Sequence, residues 1–303
     1  MAAKVSSGNA AANPAGPVFP EGRRYNRCAM TQNDSPLFRA LDGLYEPSAI
    51  QQLADGRFLV LEDEKTHPFS LLTIGSDGAV TGSPVRQKPQ DLPKLNDLEG
   101  IALNQSGHIY AITSHSRDSD GEEKASRERL LRFRIEADRV VAPKVSNALK
   151  PALLAAHPVL AAAAEIRDVK AGGGLNIEAL DLSPDAQRLL IGFRSPLLGK
   201  RALVACVENP AAIFDSGEAP RISARLETLD LGGNGIRGMS WFPCLDGYLV
   251  IGGPVAREPV QFQLWFWSGH PGPPARRVTI PGLPGLARAD GICPAVIDGR
   301  QGI

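Results

Sequence analysis

Apolar and polar positions along this chain fall into a repeating unit. A polar or charged residue is followed by a small one, two or three alternating apolar positions, a turn, and then a β-rich run. Five segments take this form: Glu46-Pro47-Ser48-Ala49-Ile50, Glu99-Gly100-Ile101-Ala102-Leu103, Glu178-Ala179-Leu180-Asp181-Leu182, Arg237-Gly238-Met239-Ser240-Trp241 and Asp290-Gly291-Ile292-Cys293. The turns that follow are Asp55-Gly56, Ser106-Gly107, Asp185-Ala186, Asp246-Gly247 and Asp298-Gly299, and four of these supply Gly where a tight hairpin needs positive φ. Aliphatic runs begin next at Phe58, His108, Arg188 and Tyr248. Further strands are expected from Pro68, Leu130, Ala202 and Gln261, the last carrying Trp265-Phe266-Trp267 as an outer strand packed between sheets.

The leading positions stand 53, 79, 59 and 53 residues apart. Several short strands in each of a series of similar units predict an all-β fold, a five- or six-bladed β-propeller, in preference to a pair of β-sandwiches. The long interval holds two insertions. Arg117 to Arg129 reads as a charged loop, and Val145 to Ile166 as one Ala/Leu-rich helical insertion interrupted by Pro151 and Pro158. The fifth copy stops where its next apolar run is due. The pattern favours truncation of the last blade over its completion by a strand from Leu37 to Tyr45. Residues 1–36 lack periodicity and are expected to form a loosely ordered arm, with the propeller domain over 37–303.

Lys plus Arg and Asp plus Glu both number 33, so the formal net charge is zero. Nucleic-acid binding, which draws on a basic surplus, is not expected. Cys28, Cys206, Cys244 and Cys293 are scattered without metal-site spacing and read as four thiols in a reducing compartment. No apolar leader or membrane-length apolar run is present, so a soluble, cytoplasmic protein with no membrane partner is expected.

The stretches from Leu98 (LEGIALNQSGHIYAITSHSR), Leu175 (LNIEALDLSPDAQRLLIGFRSP) and Gly235 (GIRGMSWFPCLDGYLVIGGP) resemble an uncharacterised bacterial propeller family, a domain of unknown function. That family is distantly similar to phytase-like and esterase-like propellers. The segment from Glu46 resembles its first blade, with Glu46-Pro47 standing where the family has Asp-Ala. The resemblance covers roughly residues 40–303 and implies a propeller. It implies no established activity or site residues.

In such a fold the inner strands converge on the axis, so the repeat is expected to ring one channel mouth with Glu46, Glu99, Glu178, Arg237 and Asp290. Strand ends add Asp63, Glu64, His115, Arg117 and Arg194, and the small residues Gly100, Ala179, Gly238 and Gly291 permit close backbone approach. Oxygen ligands from Glu99, Glu178 and Asp290 suit Ca²⁺, and Arg117, Arg194 and Arg237 suit an anionic group. Against this stands a purely structural role, each carboxylate capping backbone N–H groups or pairing with an Arg to join neighbouring blades.

Two functions are therefore expected. One is a propeller binding a small anionic ligand, ion or protein partner at a charged mouth. The other is a Ca²⁺-dependent hydrolase of a phosphoester or other anionic ester. Ser114-His115-Ser116 is not read as a hydrolase centre, since neighbours on a strand face opposite ways and no GxSxG elbow occurs. His115 is expected to orient or contact the ligand. His67, His108, His157 and His270 read as surface or core residues, and Gly172-Gly173-Gly174 as a hinge or loop lacking the Lys of a phosphate loop.

Overall fold

The computed structural model describes residues 43–63, 66–87, 89, 91–168, 173–256, 262–280, 286 and 289–303. Four sheets, each a four-stranded antiparallel meander, follow one another along the chain. The first holds β1 (Pro47–Gln52), β2 (Phe58–Glu62), β3 (Phe69–Ile74) and β4 (Val80–Gln87). The second holds β5 (Leu98–Leu103), β6 (Ile109–Thr113), β7 (Leu130–Glu136) and β8 (Arg139–Ser146). Two helices, α1 (Leu149–Ala156) and α2 (Pro158–Ala164), precede the third sheet of β9 (Asn176–Leu182), β10 (Leu189–Ser195) and β11 (Ala202–Val207). After α3 (Pro210–Asp215) the third sheet ends with β12 (Glu227–Leu229), and the fourth holds β13 (Gly235–Phe242), β14 (Gly247–Gly253), β15 (Gln263–Trp267) and β16 (Arg276–Val278). A hairpin of β17 (Ala295–Ile297) and β18 (Arg300–Gly302) follows.

The expected count of five or six blades is thus corrected to four complete sheets and a fifth, two-stranded unit among the described residues. The single helical insertion becomes two helices meeting at His157, because Pro158 can begin a helix and cannot continue one. Pro151 falls in the first turn of α1, where its missing N–H costs no hydrogen bond, so it does not interrupt that helix. The helix α3 had no counterpart in the sequence reading. Residues 1–36 lie outside the described residues, as do Glu64 and Gly172. Trp265 to Trp267 occupy a third strand, covered by β16.

Alternation of side chains along the central strands explains the order of the sheets. In β2, Leu59 and Leu61 join the second sheet while Phe58 and Val60 meet Cys293 and Ala295 of the fifth unit. In β6, Ile109 and Ala111 face the first sheet while Tyr110 and Ile112 face the third. In β14, Tyr248 and Val250 face the third sheet and Leu249 and Ile251 the fifth unit. Every blade is apolar on both faces, so each needs a neighbour on each side. Five apolar layers result, and the last returns to the first sheet.

That return is also polar. Gln52 donates from Nε2 to the Val296 carbonyl at 2.9 Å, and Val296 N–H donates to Gln52 Oε1 at 2.7 Å. Near the axis the backbones touch. A Cβ on Gly100 would lie 2.7 Å from the Leu180 Cβ and 2.8 Å from its backbone N, and one on Gly238 would lie 2.9 Å from the Asp290 carbonyl oxygen.

Of the five hairpins, three place Gly56, Gly107 and Gly299 at positive φ, as expected. Ala186 and Asp246 take that conformation themselves, and Gly247 is needed instead because any side chain there would strike the Phe266 ring. Cysteine usage also departs from the sequence reading: Cys206 and Cys293 are free, but Cys244 is disulfide-bonded. Disulfides persist in oxidising compartments, which removes the argument that thiols offered for a cytoplasmic location. No helix among the described residues is long and apolar enough to cross a membrane.

Gly100→Ala is expected to lower stability by about 1–3 kcal/mol, through overpacking between β5 and β9. Gly302→Ala, with nothing within 4 Å, is expected to leave it unchanged. Urea midpoints of the two variants against the parent test the difference.

Candidate functional site

Each inner strand skips one residue in its pairing with the next strand. The skipped residues are Ser48 in β1, Glu99 in β5, Glu178 in β9 and Arg237 in β13. Such a β-bulge bends the strand and re-aims the extra side chain. Here it turns one residue per blade out of the sheet ladder near the axis, and Asp290 supplies the fifth position.

The bulges shift the alignment of the first copy by two residues. Ser48, not Glu46, is the counterpart of Glu99. Glu46 instead matches Asp97: both have positive φ, 41° and 61°, and both accept a backbone bond from the residue following the second strand, Asp63 or Ser114. Glu46 is exposed and forms no ion pair among the described residues, so the structure does not bring it to the site. The Ser48 hydroxyl donates to the Leu98 carbonyl, joining the first two blades.

Glu178, Arg237 and Asp290 do converge. Arg237 Nε lies 2.7 Å from Glu178 Oε2, and Arg237 Nη2 donates to Asp290 Oδ1 at 2.8 Å. The same guanidinium lies over the Phe262 ring, 5.1 Å from its centroid. Arg194 Nη1 reaches Glu178 Oε1 at 3.1 Å, and its Nε donates to the carbonyls of Pro254 and Val255 at 3.2 and 3.0 Å. Glu178 is 4% exposed. Burial pushes its carboxyl up to about 7, against the pull of Arg237 and Arg194.

Beside this cluster opens a cavity of about 200 Å³, lined among others by Asp97, Glu99, Ser116, Asn176, Glu178 and Arg194. The Glu99 carboxyl forms no hydrogen bond or ion pair among the described residues. Burial raises it well above the ordinary carboxylate value, and the charges of Glu178 and Asp97 add to the effect. Asn176 donates from Nδ2 to Glu178 Oε1 at 3.2 Å, which leaves its Oδ1 buried and without a partner.

The other polar wall is internally satisfied. Arg127 Nη1 donates to Asp97 Oδ2 at 2.6 Å and to Ser116 Oγ at 2.7 Å. Arg117 also lines the cavity, but its guanidinium is held by the Ala164 and Gly121 carbonyls at 2.9 and 3.2 Å and by Glu123 at 3.5 Å.

His115 is not part of this wall. Beyond the end of β6 the chain turns at His115, whose φ is 55°, so that Ser116 lines the cavity while His115 is 1% exposed and its Nδ1 hydrogen-bonds the Thr113 carbonyl at 2.8 Å. Burial lowers its imidazole to about 4, so it is neutral at physiological pH. Ser114 and Ser116 bond each other at 2.9 Å, and neither bonds the imidazole.

The three carboxylates named for Ca²⁺ do not form an open cage. Arg237 stands between Glu178 and Asp290, and among the described residues no three His, Cys, Asp or Glu side chains are grouped to hold a metal. Sequence reasoning missed Asp97, Ser116, Arg127 and Asn176. A signal existed for two of them: Asp97-Leu98-Glu99 and Asn176-Ile177-Glu178 repeat a short polar residue two places before the bulged glutamate.

Four four-stranded meanders and a fifth hairpin, packed face to face around an axis where one bulged polar residue per blade converges, define a β-propeller. No protein-family model and no curated protein sequence matches this chain. Among solved structures, a periplasmic gluconolactonase of Pseudomonas aeruginosa is similar over 80% of this chain and 58% of its own, at 13% identity and TM-score 0.39. The PQQ domain of pyranose dehydrogenase from Coprinopsis cinerea is similar over 76% of this chain and 53% of its own, at 11% identity and TM-score 0.41. The β-propeller domain of Myceliophteria thermophila Cps50 (Swd1) is similar over 84% and 90%, at 9% identity and TM-score 0.35. This chain spans little more than half the length of the first two. Likeness at this level bears on no ligand or reaction, and the phytase-like relation suggested by the motifs finds no counterpart in it.

Removing Arg237 takes from Asp290 its arginine and leaves Glu178 with Arg194 alone. Arg237→Leu is expected to cost about 3–5 kcal/mol, as for one partner lost from a buried ion pair. Glu178 titrates above an ordinary carboxylate and would rise further without Arg237. The loss should therefore be largest above pH 8, where the carboxylate is charged, and smaller at pH 5, where it is protonated. Denaturant unfolding at the two pH values measures this.

Proposed function

We propose that the cavity at Glu99 binds a small ligand presenting hydrogen-bond donors, a protonated amine above all. The observation that carries this reading is the Glu99 carboxyl, which lines the cavity without a hydrogen bond or ion pair among the described residues, next to Asn176, whose Oδ1 is buried without a partner. Buried polar atoms without partners are costly, and a bound donor relieves that cost. Arg117, Arg127, Arg194 and Arg237 are all engaged by protein oxygens. An anionic ligand would have to break one of these pairs, so a donor-bearing ligand replaces the anion expected from the sequence. The volume of about 200 Å³ suits a small molecule better than a protein segment.

A cation also suits the local charge. Asp97, Glu178 and Asp290 are matched by Arg127, Arg194 and Arg237, which leaves Glu99 as the surplus acid. Its raised titration reflects the cost of ionising it alone, and a bound ammonium group offsets that cost. Binding should then release a proton and strengthen as pH rises. Calcium-dependent ester hydrolysis is the weaker reading, since two of its three carboxylates are already occupied by Arg237.

Thermal-shift and calorimetric titrations with methylamine, glycerol, inorganic phosphate and Ca²⁺ at pH 6 and pH 8.5 test the reading. Methylamine is expected to raise the Tm, more so at pH 8.5. Glu99→Gln should weaken its binding by roughly 10- to 100-fold, the range for losing a hydrogen bond to a charged group. A response to phosphate without one to methylamine overturns the reading. A Ca²⁺-specific rise, lost in both Glu99→Gln and Glu178→Gln, replaces it with the metal site.

A further inference from the structure

A second cavity, of about 480 Å³, lies against the first. Its walls include Pro196, Leu197, Asn234, Pro254, Val255 and Ala256, with no charged side chain among the described lining residues. Val255 lines both cavities, and Ser195 of the first is followed directly by Pro196 of the second. The two cavities meet at the end of β10 and at Val255 in the loop leaving β14, while the rest of the first cavity is walled by β5, β9 and the segment after β6. Arg194 fixes their common wall, because its guanidinium holds the Pro254 and Val255 carbonyls while also pairing with Glu178. The Asn234 amide is anchored by one N–H to the Leu231 carbonyl at 2.9 Å, which fixes its orientation in the wall.

We infer that the two cavities form one bipartite site, which takes an amine carrying an uncharged, largely apolar body. This rests on the reading of Glu99 given above. The ammonium end sits at Glu99 and Asn176, and the body passes Val255 into the larger cavity between the third and fourth blades. The chemistry divides at Arg194. On one side are the acids; on the other the side chains of Pro196, Leu197, Val255 and Ala256 stand among the polar surface of Gly233 and Asn234, and their contact with an apolar group removes both from water. Discrimination between amines then resides in the second cavity. A longer or branched body is selected there, while the first cavity reads only the charged end.

Calorimetric titration of methylamine and of 2-phenylethylamine at pH 8.5, against the parent protein, Leu197→Trp and Glu99→Gln, tests this. The parent is expected to bind 2-phenylethylamine at least about tenfold more tightly than methylamine, the gain from burying a ring. Leu197→Trp fills the second cavity and should abolish that gain while leaving methylamine binding as it is. Ala256→Trp serves the same purpose if Leu197→Trp fails to fold. Equal affinities for the two amines in the parent, both lost in Glu99→Gln, overturn the bipartite site and leave the Glu99 reading intact. Equal weakening of both amines by the tryptophan variants also overturns it. If neither amine binds the parent, the Glu99 reading fails and the bipartite site with it.

Discussion

The constraint from which the rest follows is that every blade is apolar on both faces. A sheet of this kind cannot stop at an edge facing water, so each must be flanked on both sides, and five units closing on themselves satisfy the requirement. Closure in turn brings the inner strands together. Gly100, Ala179, Gly238 and Gly291 are small because neighbouring backbones pass within van der Waals distance there. Crowding at the axis leaves no room for a regular ladder with side chains of ordinary length, and each complete blade relieves it with one bulged residue.

Charge collects at the axis for the same reason. Bulged residues leave the ladder where apolar packing is weakest, and long polar side chains reach across to neighbours. Arg237 spans two blade boundaries by holding Glu178 on one side and Asp290 on the other. The structural role foreseen for these carboxylates, pairing with arginine to join blades, describes Glu178 and Asp290 well. Glu99 is different. It occupies the same repeat position but lines a cavity, and it forms no ion pair among the described residues. The repeat thus makes five equivalent positions, and the pairing pattern singles out one of them.

The strand order was legible because period-two alternation and turn residues are local signals. Each aliphatic run, from Phe58 to Tyr248, became the second strand of its blade. Glu46 was misaligned because it shares an acidic character with Glu99, whereas the bulge that defines the true equivalent is a feature of hydrogen-bond register and leaves no mark in composition. Ser48 carries neither charge nor size and gave no reason to be chosen. The strand-end position of His115 points to the mouth, yet the chain turns there with positive φ and buries the imidazole. Asn176 and Asp97 were readable from their shared offset to the bulged glutamates. Arg127 was not, since it comes from the charged loop and reaches Asp97 only through the fold.

The paired bonds between Gln52 and Val296 join residues 244 positions apart in the chain. Contacts so distant in sequence return no enthalpy until nearly all intervening chain is ordered, while the entropy of closing that loop must be met beforehand. The blades, each a local meander, form from nearby segments and so precede the seam. Loop-closure entropy therefore predicts ring closure as a late step of folding. Until it occurs, Phe58 and Val60 of the first blade present an open apolar face to water, and the seam is where the unfinished molecule is most exposed to association with other chains.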